Sequence, residues 1–261
     1  MHQLTSNFKC IAAILLIFSG INACKDIPRD NVLDPKNPSS YSDWIISIEA
    51  FVNTENDKLY NEYLIEALNS ISIQYPGKVT IAQYHRNVAT FTDSLSIPEN
   101  EYIYEDYINQ FDSQKGVPDV FINGALERVK GSSSVENTIE RIERALLPLL
   151  KENSHFTIEP ELSRQEGNLS INIKLARLGS FQTENIFLRV MLIEKIDSEY
   201  LSRVVRSIQS SNLIPALEPG EVKEISFDGI EYNAGAHQSL ILNVLSNEDH
   251  IVRQSIEVAI P

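Results

Sequence analysis

Gly116-Val117-Pro118-Asp119-Val120-Phe121-Ile122-Asn123-Gly124 compresses a loop, a short strand and a turn into one stretch. Proline cannot continue a helix, the β-branched and aromatic run after it suits a buried strand, and Asn-Gly is a strong hairpin signal because both residues tolerate positive φ. Ala125 to Lys130 is then the returning arm. Ser133 and Glu136 stand in capping-box spacing before a helix from about 135 to 151, with Ile139, Ile142, Leu146, Leu149 and Leu150 on one side.

Working towards the amino terminus, Glu99 to Phe111 predicts a short helix with Tyr102, Tyr107, Ile108 and Phe111 as buried candidates. The tyrosines at 102–107 are expected half-buried, ring inside and hydroxyl outside. Lys78 to His85 (KVTIAQYH) predicts a strand. From Asn56 to Ile71 the apolar residues Leu59, Tyr60, Tyr63, Leu64, Ala67, Leu68 and Ile71 recur every three or four positions, one helix face ended by Pro76-Gly77. Trp44 to Val52 (WIISIEAFV) predicts a buried strand. The order over residues 44–152 is thus β-α-β-α-β-β-α.

After Asn153 the apolar period shortens to 2, which marks a domain boundary. Strands are predicted from Phe156, over Leu169 to Leu175, over Ile186 to Ile196 (IFLRVMLIEKI), Arg203 to Gln209, Glu221 to Phe227, Ser239 to Leu245 and Ile251 to Ile260, with turns at Glu166-Gly167-Asn168, Pro219-Gly220 and Asn247-Glu248-Asp249. Seven or so strands in residues 153–261 suggest an all-β immunoglobulin-like sandwich.

The element order of residues 44–152, with Gly-Val-Pro before the third strand, resembles the thioredoxin fold. Glu49 to Thr54 (EAFVNT), Tyr84-His85 and residues 116–124, then Leu188 to Glu194, Val204-Val205-Arg206, Leu217 to Glu221 and the last strand, resemble successive blocks of a family of thioredoxin-related outer-membrane lipoproteins. The resemblance implies an α/β thioredoxin-like domain followed by the sandwich, a cis proline at Pro118, and a Cys-x-x-Cys at the start of the first helix. Here Asn56 and Leu59 stand at the cysteine positions, give or take one residue, and no cysteine follows residue 24.

The amino terminus carries the matching export signal. Cys10 to Phe18 (CIAAILLIF) is an apolar run too short to span a bilayer, which takes about 20 helical residues, and suits a secretory signal. Ile21-Asn22-Ala23-Cys24 resembles the lipobox of bacterial lipoproteins, with Asn22 a less usual choice. The resemblance implies cleavage after residue 23 and acylation of Cys24, and two acyl chains anchor stably where one does not. Residues 24–43 then read as the lipidated cysteine and a disordered tether rich in proline and charge. Lys25-Asp26 is similar to the start of a surface-export signal, so periplasmic and surface display both stay open.

The chain has 261 residues and a net charge of −14, and no basic run exceeds a dipeptide, which excludes phosphate-backbone binding and hence a nucleic-acid partner. With Cys10 removed and Cys24 acylated, no free thiol is left for disulfide exchange, which needs an attacking thiolate. What the resemblance leaves is a groove for an extended peptide, bordered by Val117 and Pro118 with Asn56 and Asp57 opposite, since strand addition needs no cysteine. His85 is the sole histidine of residues 44–152, read either as a polar group at the groove or as a hydrogen-bonded strand-end residue. Glu55, Asp57 and Glu62 lack a histidine or cysteine to complete a metal site, and neither cofactor nor catalytic motif is found. The expectation is a non-catalytic, lipid-anchored envelope protein that binds a protein or peptide. The alternatives are an assembly subunit of an outer-membrane complex acting through the sandwich, and a hydrolase using His85 with Asp57 or Glu55.

Overall fold

The structure, a computed structural model, describes residue 34 and residues 36–56, 58–111, 113–165, 167–180, 184–196 and 202–260. The export signal, Cys24, most of the tether and Asp57 lie outside the described residues. The elements in chain order are β1 (Ser42–Asp43), β2 (Ile46–Val52), α1 (Lys58–Gln74), β3 (Val79–His85), α2 (Pro98–Gln110), β4 (Asp119–Ile122), β5 (Glu127–Lys130), α3 (Val135–Leu149), β6 (Asn153–Ser154), β7 (Phe156–Gln165), β8 (Asn168–Arg177), β9 (Ile186–Ile196), β10 (Ser202–Ser210), β11 (Val222–Glu231), β12 (Gln238–Ser246) and β13 (Val252–Ala259). The fold is β-rich with a mixed sheet, and every long element predicted from periodicity is present within a few residues. Among the described residues no helix is long and apolar enough to cross a membrane.

Strands from both sides of residue 152 share one eight-stranded sheet in the order β13-β12-β9-β10-β3-β2-β4-β5. β2 and β3 run parallel from Ile46↔Val79 to Val52↔His85, β4 lies antiparallel to β2, and β10 meets β3 at Val204↔Gln83. A second sheet, β11-β8-β7, packs on the β9–β12 end through Leu169, Ile171, Ile173, Leu188, Val190, Leu192, Leu240 and Leu242.

Strand alternation assigns each face. In β2, Ile46, Ile48, Ala50 and Val52 point to a core closed by Leu64, Leu68 and Ile71 of α1 and by Ile142 and Leu146 of α3. The opposite face carries Phe51, which joins Tyr84, Tyr104, Tyr107 and Phe121 in an aromatic core that also takes Met191, Ile193 and Ile241 from beyond residue 152. β9 is apolar throughout because both of its faces are covered: Leu188, Val190 and Leu192 on the sandwich side, Met191 and Ile193 on the aromatic side.

Four expectations are corrected. Tyr104 and Tyr107 are wholly buried, not half-buried, because their hydroxyls find buried partners, whereas Tyr102 points outward on the other side of α2. Leu59 and Tyr60 begin α1 outside the core, whose buried face starts at Asn61. The cap of α3 is Ser134, which accepts from Asn137 N at 3.2 Å, and Ser133 sits one place outside the helix turn. Ser134→Ala should therefore cost about 1 kcal/mol in urea unfolding, and Ser133→Ala much less. The end of the stretch read as tether is packed: Asn37 and Ser40 are buried, Lys36 covers Gly220, and β1 pairs with β6.

The β4–β5 turn shows why Asn123-Gly124 is needed. Both residues have positive φ, and a side chain at 124 would strike the backbone carbonyl of His250, where the turn touches the start of β13.

Candidate functional site

Pairing of Phe51 with Asp119 and of Val52 with His85 brings three loops to one end of the sheet: 53–56 after β2, 86–97 after β3, and 113–118 before β4. Open sheets bind ligands in such crevices beyond the carboxyl ends of parallel strands. The predicted groove residues fall on its rims, Asn56 half-buried on the first loop, Val117 half-buried and Pro118 buried on the third. The Val117–Pro118 peptide is cis, as the resemblance implies.

The first loop is knotted by amides. Asn53, fully buried, donates from Nδ2 to the carbonyls of Arg86 (2.6 Å) and Phe91 (3.2 Å), and its Oδ1 accepts from Glu55 N (2.9 Å) and Asn56 N (2.7 Å). Asn61 of α1 accepts from Asn53 N at 3.1 Å and donates to the Asn56 carbonyl at 2.9 Å. The position where the resemblance expects a thiol is thus held by side-chain-to-backbone bonds, a turn chemistry native to asparagine.

Beneath this loop His85 and Asp93 form a buried pair, Nδ1 to Oδ2 at 2.9 Å, each 1% exposed. The same Oδ2 accepts from Thr54 N (2.9 Å) and Thr54 Oγ1 (3.2 Å), and Oδ1 from Leu95 N (3.0 Å). Burial by itself would raise the Asp93 pKa, but the imidazole and the Thr54 and Leu95 amides outweigh it and bring it down to about 2. His85 therefore has a carboxylate partner in Asp93, and its backbone carbonyl is held by Asn100 Nδ2 at 2.8 Å. At 1% exposure each, the pair braces the loop from beneath.

The third loop is tied by a second buried carboxylate. Asp119 accepts from Tyr104 Oη at 2.9 Å and from Arg128 Nε at 2.9 Å, Tyr104 Oη also accepts from Gly116 N at 2.8 Å, and the Pro118 carbonyl accepts from Gly131 N at 2.8 Å. Burial and the adjacent Asp119 carboxylate raise the Tyr104 pKa. Arg86 lies over the Tyr104 ring, 3.5 Å from its centroid, and pairs with Glu101, which also takes Lys115. Around the crevice, Leu59, Tyr60 and Phe91 are exposed. Among the described residues no group of three or more His, Cys, Asp or Glu could hold a metal ion.

Asn53, Asn61, Asp93, Tyr104, Asp119 and Arg128 were not picked out as site residues from the sequence. Asn53 and Asp119 lay inside the quoted blocks, so a signal existed. Asp93 sits in a loop without periodicity, and nothing in its spacing points to His85.

No described protein family matches the sequence, and no curated protein does. Among solved structures, HBP35 of Porphyromonas gingivalis is similar with TM-score 0.60 and 12% identity, over 84% of this chain and 76% of that one. A protein from Agrobacterium tumefaciens is similar with TM-score 0.50 and 14% identity, over 84% of this chain and 96% of that one. These two likenesses are of fold, and at that coverage they take in both sides of residue 152. A domain of the outer membrane lipoprotein Omp28 from Porphyromonas gingivalis matches 41% of this chain at TM-score 0.31 and 14% identity, too low to carry an argument.

Proposed function

We propose that the chain is a lipid-anchored protein of the bacterial cell envelope, held through Cys24, most simply at the outer membrane. Its residues 44–152 are a thioredoxin-like unit without redox activity, and residues 153–261 are an immunoglobulin-like sandwich. The unit binds an extended protein or peptide segment in the crevice between Asn56-Asp57 and Val117-Pro118. The observation that carries this reading is the crevice at the carboxyl ends of β2 and β3, where the loop 113–118 faces a helix start that holds Asn56 and Leu59 where the resemblance places thiols. Exposed Leu59, Tyr60 and Phe91 beside that helix start supply the apolar contacts that strand addition needs for selectivity.

Two measurements test it. Insulin reduction by the purified mature protein should stay at the blank rate, and turnover above blank would refute the loss of redox chemistry. Palmitate fed to the producing bacterium should label the wild type and not Cys24→Ala; label retained by that variant would sink the anchoring claim.

A further inference from the structure

Loop 86–97 contains a tight hairpin of its own. Val88 N donates to the Phe91 carbonyl at 3.0 Å and Phe91 N to the Val88 carbonyl at 2.8 Å, so the turn is only two residues long, Ala89-Thr90. Ala89 has φ +50°, where glycine is the default and a side chain is strained. Strain of this kind persists where its surroundings over-determine it, and it gathers at binding sites. The group that holds it is Asn53, whose Nδ2 donates to the Phe91 carbonyl while its Oδ1 takes the amides of Glu55 and Asn56. One buried amide thus fixes the hairpin against the first rim of the crevice. On that support the Phe91 ring is 44% exposed, next to exposed Leu59 and Tyr60 at the start of α1. An aromatic ring on a backbone already fixed loses little conformational freedom when a partner covers it.

The charges around the crevice are unevenly matched. Lys58 is paired with Glu62 at 3.8 Å, Arg86 with Glu101 at 2.8 Å, and Lys115 with Glu105 at 2.6 Å and Glu101 at 3.1 Å. Asp93 is closed by His85 and Asp119 by Arg128. Glu55 and Glu99, both exposed, pair with no cation among the described residues, and Asp57 adds a further carboxylate two positions after Glu55 in the sequence. By the third loop, Lys130 Nζ donates to the Gln114 carbonyl at 3.2 Å and meets no carboxylate among the described residues. The rims therefore differ in sign, and it is the Glu55 side that a partner's basic side chain complements. A second copy of this chain, at −14, is repelled as a whole, so the occupant is a segment of another protein.

Resting on the crevice reading above, we infer that the bound segment is basic and apolar. It sets a Lys or Arg beside Glu55 and an aliphatic or aromatic side chain on Phe91, as neighbouring side chains of one extended strand can. Phe91 and Glu55 are thus the residues that select the sequence, while the backbone of the crevice accepts any extended chain.

A random heptapeptide library displayed on phage should be selected against the full-length mature chain, and the enriched sequences synthesised for calorimetric titration and ¹⁵N amide mapping. Enriched sequences should pair Lys or Arg with an aliphatic or aromatic residue within two positions, and should shift the Asn56, Phe91 and Val117 amides saturably. Phe91→Ala and Glu55→Lys should each weaken the tightest peptide about tenfold while keeping the wild-type circular dichroism spectrum. Replacing that peptide's basic residue by Glu should restore binding to Glu55→Lys, a rescue that a merely structural role for Glu55 would not give. The inference alone is overturned, and the crevice reading survives, if the Asn56 and Val117 amides shift but the enriched set has no excess of Lys and Arg. The same holds if either folded variant binds the peptide as the wild type does. If no peptide is enriched, or if those amides stay still, the crevice reading fails and the inference falls with it. Should a variant fail to fold, the composition of the enriched set decides.

Discussion

Arg189→Met should lower the unfolding free energy by about 3–5 kcal/mol, a drop of roughly 10 °C in midpoint for a chain of this size. Arg189 is 3% exposed in β9, where Nη1 donates to Tyr107 Oη at 2.8 Å and lies 3.6 Å from Glu49 Oε2 in β2. Glu49, fully buried, also accepts from Tyr84 Oη (2.9 Å), Tyr107 Oη (2.9 Å), Asn243 Nδ2 (3.1 Å) and Ser47 Oγ (3.2 Å). Removing the guanidinium leaves that carboxylate without its cation in a low-dielectric interior. Adding Glu49→Gln should recover about half of the loss or more, since an amide costs far less to bury than an unpaired charge. Urea unfolding of both single variants and the double variant gives the coupling directly. A double variant as unstable as the sum of the singles would show that the charges do not interact.

Asp93→Asn should cost about 2 kcal/mol at pH 7 and flatten the acid branch of the stability profile. The wild-type carboxyl has a folded pKa of about 2 against 3.8 for the free side chain. Because the folded value is depressed, the unfolded chain binds the extra proton first, so this contribution is whole above about pH 5 and falls away between about pH 4 and 2. Each pKa unit corresponds to about 1.4 kcal/mol, which sets the size of the effect. The difference between wild type and Asp93→Asn in urea midpoints should accordingly shrink as pH falls through that window. A difference constant from pH 7 to pH 2 would contradict the assignment of the charge.

Much of the architecture was legible because period and face are coupled. Clean alternation in Leu169 to Leu175 and the continuous run of Ile186 to Ile196 named strands correctly, one covered chiefly on a single face and the other on both. The misreadings arise where a side chain's partner lies far along the chain. Tyr104 and Tyr102 look alike in sequence, and only Asp119 and the Gly116 loop decide which is inside. A usable signal was nevertheless present in the two apolar strands: Glu49 is the lone charge of WIISIEAFV and Arg189 the lone charge of IFLRVMLI, residues 186–193, and such charges are buried only when paired. The rim residues Asn56, Val117 and Pro118 followed from resemblance and register, whereas the clamp under the rim needed coordinates, because no spacing rule ties Asp93 to His85.

The shared sheet has consequences for what the protein becomes when it is cut. Intact, it ends in two outer strands, β13 and β5, and Arg141 already caps the Lys130 carbonyl on one of them. Severing and separating the halves at residue 152 would bare two further margins, β3 and β10, each a row of unsatisfied N–H and C=O groups able to template another chain. Proteolysis there would then yield sticky fragments prone to edge-to-edge aggregation rather than two independent modules.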